Sequence, residues 1–135
     1  MVLRIAALLI LTLFGCTPYS ETVGGAAPVG TVWELQSIND QPFTALATLR
    51  FRSPDAVSGS GPCNTYSARQ TAPLPWFALE EFVTTKRTCP DQAAEAQYFQ
   101  TLQSMDFSEV STGKMLLSNA ANDVMLFTTQ VAPQS

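Results

Sequence analysis

The side chains with the widest chemical range in this 135-residue chain are three thiols, Cys16, Cys63 and Cys89. A thiol can carry a lipid, close a disulfide or ligate a metal, and its surroundings decide which. The remaining candidates are few. Glu80-Glu81 is the one adjacent acidic pair, and Lys86-Arg87 is the one adjacent pair of unlike basic residues. Neighbours on a strand point to opposite faces, so Glu80 and Glu81 would not share a proton there, and a solvated turn is the expected setting. Lys86-Arg87 precedes a helix-like segment, where an anion could sit at the helix N-terminus, but two solvated charges on an edge strand are the plainer reading. Histidine, the usual acid–base group near neutral pH, is absent. Gly59-Ser60-Gly61 lacks the lysine and the strand–helix setting of a phosphate cradle. Two body thiols do not make a tetrahedral zinc site, and Cys63 and Cys89 are too far apart in sequence for a C-x-x-C redox motif. The expectation is therefore no enzyme, no metal and no cofactor.

The first thiol differs from the other two in context. Arg4 is followed by an apolar run from Ile5 to Phe14, broken only by Thr12. Ten helical residues rise about 15 Å, half of a hydrocarbon core of about 30 Å, so the run has the size of a signal-peptide core rather than a span. It ends in Leu13-Phe14-Gly15-Cys16. That tetrapeptide resembles the lipobox of bacterial lipoproteins, with Phe14 bulkier than usual at its position. The resemblance implies that residues 1–16 are a lipoprotein signal and that Cys16 carries a diacylglyceryl group. Each buried methylene contributes about 0.8 kcal/mol, and two chains hold a protein where one does so only marginally. The expected address is the bacterial envelope, lipid-anchored and periplasm-facing, with the outer membrane favoured because no Asp follows Cys16. Residues 17–29, rich in Pro, Gly, Ser and Ala, read as a flexible tether. Residues 131–135 read as a fraying tail.

With Cys16 assigned to lipid, Cys63 and Cys89 remain as an even pair in an oxidising compartment, where a disulfide is expected. Two buried free thiols, packed as small hydrophobes, are the alternative.

These groups must be positioned by about a hundred residues of body, enough for one domain. Charged residues are only 13% of the chain, which fits a compact β-rich body. Removing Arg4 with the signal takes the basic count from 7 to 6 against 11 acidic residues, a net of −5. An acidic body with scattered basic residues excludes the usual nucleic-acid footprint. Period-two alternation marks strands at 31–38, 47–52 and 56–58, with further strands expected at 65–71, 76–79, 82–85, 106–110, 114–117 and 124–129. Asn39-Asp40, Ser53-Pro54-Asp55 and Thr112-Gly113 supply turns. Pro90 suits a helical first turn, and Ala94, Tyr98, Leu102 and Met105 recur at helical spacing with Phe99 beside them, so a helix is expected from Asp91 to Ser104. About eight strands and one late helix define an α+β domain, a curved antiparallel sheet or small barrel with the helix packed across it.

Several segments, taken in order, resemble the META domain family, also called HslJ-like. They are Trp33-Glu34-Leu35, Leu49-Arg50-Phe51, the stretch from Gly59 to Tyr66 containing Gly61-Pro62-Cys63-Asn64, and Thr85-Lys86-Arg87-Thr88-Cys89-Pro90. Phe99 and Leu102, Leu116-Leu117 and Leu126-Phe127 complete the match over about residues 30–130. Pro62 departs from the family's usual Gly and removes a backbone N–H from the turn. The resemblance implies a small barrel-like fold, no known enzymatic activity, and relatives among envelope lipoproteins loosely linked to heat shock, drug tolerance or motility. The functional expectation is a non-catalytic interaction or stress-tolerance module anchored to the membrane, with a protein partner in the envelope. The alternative is a carrier of a small apolar ligand lined by Trp76, Phe77 and Phe82.

Overall fold

The computed structural model describes residues 22–129. The expected signal with Cys16, residues 17–21 of the expected tether and the expected tail at 131–135 lie outside them. Eight strands form one antiparallel path, with a two-residue strand appended. In chain order they are β1 (Val32–Ile38), β2 (Gln41–Pro42), β3 (Thr48–Ser53), β4 (Ala56–Ser60), β5 (Thr65–Arg69), β6 (Glu80–Thr84), β7 (Phe107–Ser111), β8 (Lys114–Ser118) and β9 (Val124–Thr129). The spatial order is β6-β5-β4-β3-β1-β9-β8-β7, with β2 paired to β1. The sheet curls into a half-barrel, and the helix α2 (Gln92–Gln103) connects its two edge strands. This is the α+β architecture expected from the sequence.

Alternation sets which residues enter the core. Leu49 and Phe51 of β3, Tyr66 and Ala68 of β5, Met115 and Leu117 of β8 and Met125 and Phe127 of β9 all point inward and are buried. Their intervening neighbours face outward. β1 breaks the rhythm: Trp33 and Leu35 are buried, but the next buried residue is Ile38 rather than Ser37. The cause is a register shift against β9 between Leu35 and Ser37, an extra residue that reverses the phase of the strand. From the helix, Tyr98 and Leu102 reach into the same core and are fully buried. Covering a large side chain of this kind contributes about 2–3 kcal/mol.

Local chemistry explains the turns. Asn39 and Asp40 have φ of 52° and 63°, the left-handed pair that a tight two-residue hairpin requires between β1 and β2. Gly113 supplies φ 74° at the β7–β8 hairpin. Three expectations need correction. Pro90 precedes the helix by two residues: Asp91 takes the N-cap position and Gln92 starts the helix. Residues 76–79 form no strand. Trp76 makes only an isolated bridge to Phe107, because buried Gln70 folds the segment back on itself, its side chain accepting from Ala72 and Ala78 N–H and donating to Ala72 O.

The third correction concerns the tether. From Thr22 onward the chain belongs to the domain. Val23–Ala26 forms a single helical turn, α1, whose Thr22 side chain accepts from Gly25 N–H and donates to Pro54 O. Val23 and Ala27 are buried in the core cluster, and Gly24 lies so close to Phe51 and to Pro54 O that no side chain would fit. The Gly/Ala/Pro composition that reads as flexible is used here for close approach. The apolar burial of Val23 and Ala27 overrides the poor helix propensity of Val-Gly-Gly-Ala.

Candidate functional site

The polar side chains that converge in the structure do so where the β4–β5 turn meets the entrance to α2. Glu95, three residues before Tyr98 and seven before Leu102, lies on the buried face of the helix and is 6% exposed. One carboxylate oxygen, Oε2, accepts from the backbone N–H of Cys63 at 2.7 Å and of Asn64 at 2.6 Å. The other, Oε1, accepts from Asn64 Nδ2 at 2.6 Å. Asn64 in turn uses Oδ1 to accept from Arg87 N–H at 2.6 Å and Thr85 Oγ1 at 3.0 Å, while its Nδ2 also donates to Arg87 O at 3.0 Å. The Cys63–Cys89 disulfide, with Cα atoms 5.6 Å apart, closes the same junction covalently. Turn, helix and the 85–89 segment are thereby tied together. Gly61 is required here, since a Cβ would stand 2.8 Å from Glu95 Oε2 and 2.9 Å from the Phe99 ring. Pro62 fits without loss, because the amides that Glu95 takes are those of the next two residues, and Gly61 N–H already pairs with Asn64 O.

Beneath this junction two tyrosines meet. Tyr66 Oη lies 2.8 Å from Thr48 O and 2.8 Å from Tyr98 Oη, which itself lies 3.1 Å from Thr48 O. Two hydroxyl hydrogens serve three contacts, so two of the bonds form at any moment. Gly59 packs against both Thr48 O and Tyr66 Oη, closer than any Cβ allows. Burial, reinforced by the neighbouring Tyr98, pushes the Tyr66 hydroxyl well above its ordinary pKa. Burial also raises that of Tyr98, partly offset by its bond from Tyr66. Both groups therefore stay neutral in the folded protein where an unfolded tyrosine ionises, near pH 10. The sign follows: this contribution is intact below pH 10 and is lost as pH rises toward the folded-state values. Urea unfolding between pH 8 and 11 is expected to show stability falling above pH 10, by up to about 1.4 kcal/mol per pH unit for each tyrosine. The Tyr66→Phe/Tyr98→Phe variant should show a shallower fall, and an identical profile would contradict this account.

On the opposite face of the same strands runs an open groove of about 500 Å³. Register places Val32, Arg50, Ser58, Ser67 and Val83 in one transverse row across β1, β3, β4, β5 and β6. Arg52 and the hydroxyls of Thr48, Ser60 and Thr65 flank the row. Strand alternation points Arg50 and Arg52 outward while Leu49 and Phe51 fill the core. The groove meets a smaller depression over Pro62, Cys63 and Asn64, sharing Ser60, Thr65 and Thr85 with it.

The structure disperses most of the other candidates. Glu80 and Glu81 are both exposed, and Glu81 adopts φ 53° where the pairing of β6 with β5 shifts register. Lys86 and Arg87 are exposed, and Arg87 contributes backbone groups, not its guanidinium, to the Asn64 bonds. Trp76, Phe77 and Phe82 do not share a cavity. Phe77 is buried in the core, Phe82 stacks on Tyr66 with centroids 5.3 Å apart, and Trp76 lies 52% exposed against Phe107 on the outside. The apolar-ligand lining expected from them is not formed. Sequence reading missed Glu95, although its helical spacing from Tyr98, Phe99 and Leu102 marks a carboxylate on an apolar stripe.

A curled antiparallel half-barrel bridged by one helix, with a disulfide fastening the helix entrance, defines a small α+β domain class. The chain belongs to the META domain family, whose model matches residues 26–132. Two solved structures share the fold. One is an NMR structure of a protein from Burkholderia xenovorans, with TM-score 0.61 and 20% identity over 77% of this chain and 84% of that one. The other is a crystal structure of a DUF4847 family protein from Bacteroides vulgatus, with TM-score 0.62 and 11% identity over 73% of this chain and 91% of that one. Among curated proteins none matches.

Proposed function

We propose that this protein is a non-catalytic, lipid-anchored module of the bacterial envelope that displays its META domain for binding, in the manner of an interaction or stress-tolerance factor. The observation that carries the non-catalytic reading is the mutual satisfaction of the converging polar groups. Glu95 accepts three N–H bonds, Asn64 is used at both ends, and the tyrosine pair is buried on a backbone carbonyl. Groups so engaged hold a turn in place: the Asn64 amide is used on all sides and Glu95 is committed to three donors instead of standing free to move a substrate's proton. The anchored reading is supported by the short apolar run ending at Cys16 and by the even pair of thiols that then remains, which is the pair joined in the fold.

Mass spectrometry of the protein purified from bacterial membranes tests it. A mature chain beginning at Cys16 with diacylglyceryl mass on that residue is expected, together with an oxidised Cys63–Cys89 pair. Cys16→Ser should shift the protein out of the membrane fraction. A water-soluble, unacylated wild-type chain that keeps residues 1–16 would remove the reading.

A further inference from the structure

The outer groove holds the features from which a ligand class can be argued. Arg50 and Arg52 stand two residues apart on one face of β3, a spacing of roughly 7 Å along a strand. Both are exposed, and among the described residues neither guanidinium takes part in an ion pair or a hydrogen bond to protein. Arg69, on β5, differs in facing Asp55 at 3.9 Å. Two unengaged guanidiniums side by side repel each other, and on a chain of net charge −4 they form a local positive site against the overall sign. Glu34, opposite Thr48 on β1, does not line the groove.

The floor adds a second observation. Ser58 lies directly between Arg50 and Ser67 in the transverse row, and its Oγ is shielded from solvent yet makes no hydrogen bond. A buried hydroxyl without a partner costs about 1–3 kcal/mol. An oxygen acceptor reaches it only when the side chains covering it move aside, while Thr48, Ser60, Thr65 and the exposed Ser67 offer further hydroxyls around the same space. The volume, about 500 Å³, lies within the usual range of small-molecule sites.

We infer that this groove is a binding site for an oxyanion-bearing small molecule, its phosphate or carboxylate groups held by the guanidinium forks of Arg50 and Arg52 and by the exposed Ser67 hydroxyl beside them. Planar guanidinium matches the paired oxygens of either anion, and charge-assisted bonds of this kind are roughly twice as strong as neutral ones. Phosphate and carboxylate share that chemistry, and the experiment separates them. The inference rests on the binding-module part of the proposed function and is independent of whether Cys16 carries lipid.

The test uses the full-length, ¹⁵N-labelled protein as purified from cells in detergent micelles. It is titrated at constant ionic strength with pyrophosphate in one arm and glutarate in the other, against chloride. Saturable movement of the Arg50, Arg52, Ser58 and Ser67 amides is expected in at least one arm, with half-saturation at about 1 mM or below. The arm that responds names the anion. Arg50→Ala/Arg52→Ala should weaken that binding by about tenfold or more. Arg50→Lys/Arg52→Lys keeps the charge and the strand but loses the fork, and should weaken it by about threefold. Amides that move no more than in chloride in both arms would overturn the inference. So would equal affinity in the lysine variant, which would reduce the site to diffuse positive charge. Failure in both arms by a protein whose mass shows the acylated Cys16 would leave the anchored reading standing and remove only the groove.

Discussion

Glu95→Ala is expected to lower the free energy of unfolding by about 4 kcal/mol, measured as a shift of the urea midpoint at unchanged slope. The carboxylate accepts from two backbone amides of the β4–β5 turn and from the Asn64 side chain. Truncation removes every one of these acceptors at a position 6% exposed. Each buried donor left alone costs about 1–3 kcal/mol, and the vacated volume admits water only in part. The companion variant Glu95→Gln separates charge from geometry. Its amide oxygen can still accept from Cys63 and Asn64 N–H, but its NH2 then meets Asn64 Nδ2, donor against donor. Asn64 cannot turn to suit it, because Oδ1 is held by Arg87 N–H and Thr85 Oγ1. A loss of about 2 kcal/mol is expected for Gln. A loss below about 1 kcal/mol for Ala would show that the turn holds itself without the helix.

Removal of the disulfide is the second large effect. The Cys63→Ala/Cys89→Ala variant is expected to lose about 3–4 kcal/mol, since the bridge closes a loop of 26 positions and restricts the unfolded chain. A domain of this size commonly has a total stability of about 5–15 kcal/mol, so the variant should unfold at markedly lower urea. Because the bridge and Glu95 fasten the same turn to the same helix entrance, the two losses should not add. The triple variant is expected to fall short of the sum by about 1 kcal/mol or more, as linked positions do. Full additivity would mean that the covalent and hydrogen-bonded ties act on separate parts of the fold.

Much of the architecture was legible because it is written in local periods. Leu49 and Phe51 alternate with Arg50 and Arg52 in the sequence and do so across the sheet. Asn39-Asp40 reads as a turn and takes the left-handed conformation that a tight hairpin needs. The spacing of Tyr98, Leu102 and their neighbours marks a helix from Asp91 to Ser104, within a residue of each end of Gln92–Gln103. The pairing of Cys63 with Cys89 followed from assigning Cys16 elsewhere, and the fold joins them.

What was not legible depends on partners distant in sequence. Residues 22–27 have a tether's composition, but one valine and one alanine find room in a core built by strands far downstream, and that burial outweighs propensity. Residues 76–79 have a strand's composition, but Gln70 fastens them into a loop.

The sequence by itself determined most of the strand faces, the turns, the helix and the class of the domain, because alternation and helical period act between residues a few positions apart; the reversed phase at the end of β1 came from its pairing with β9. Only the tertiary structure decided that Glu95 is a fastening and that Arg50, Ser58 and Ser67 form one row. Hydrogen bonding and charge act through distances of a few ångströms, and between residues such as Cys63 and Glu95, 32 positions apart, those distances arise only when the sheet has curled.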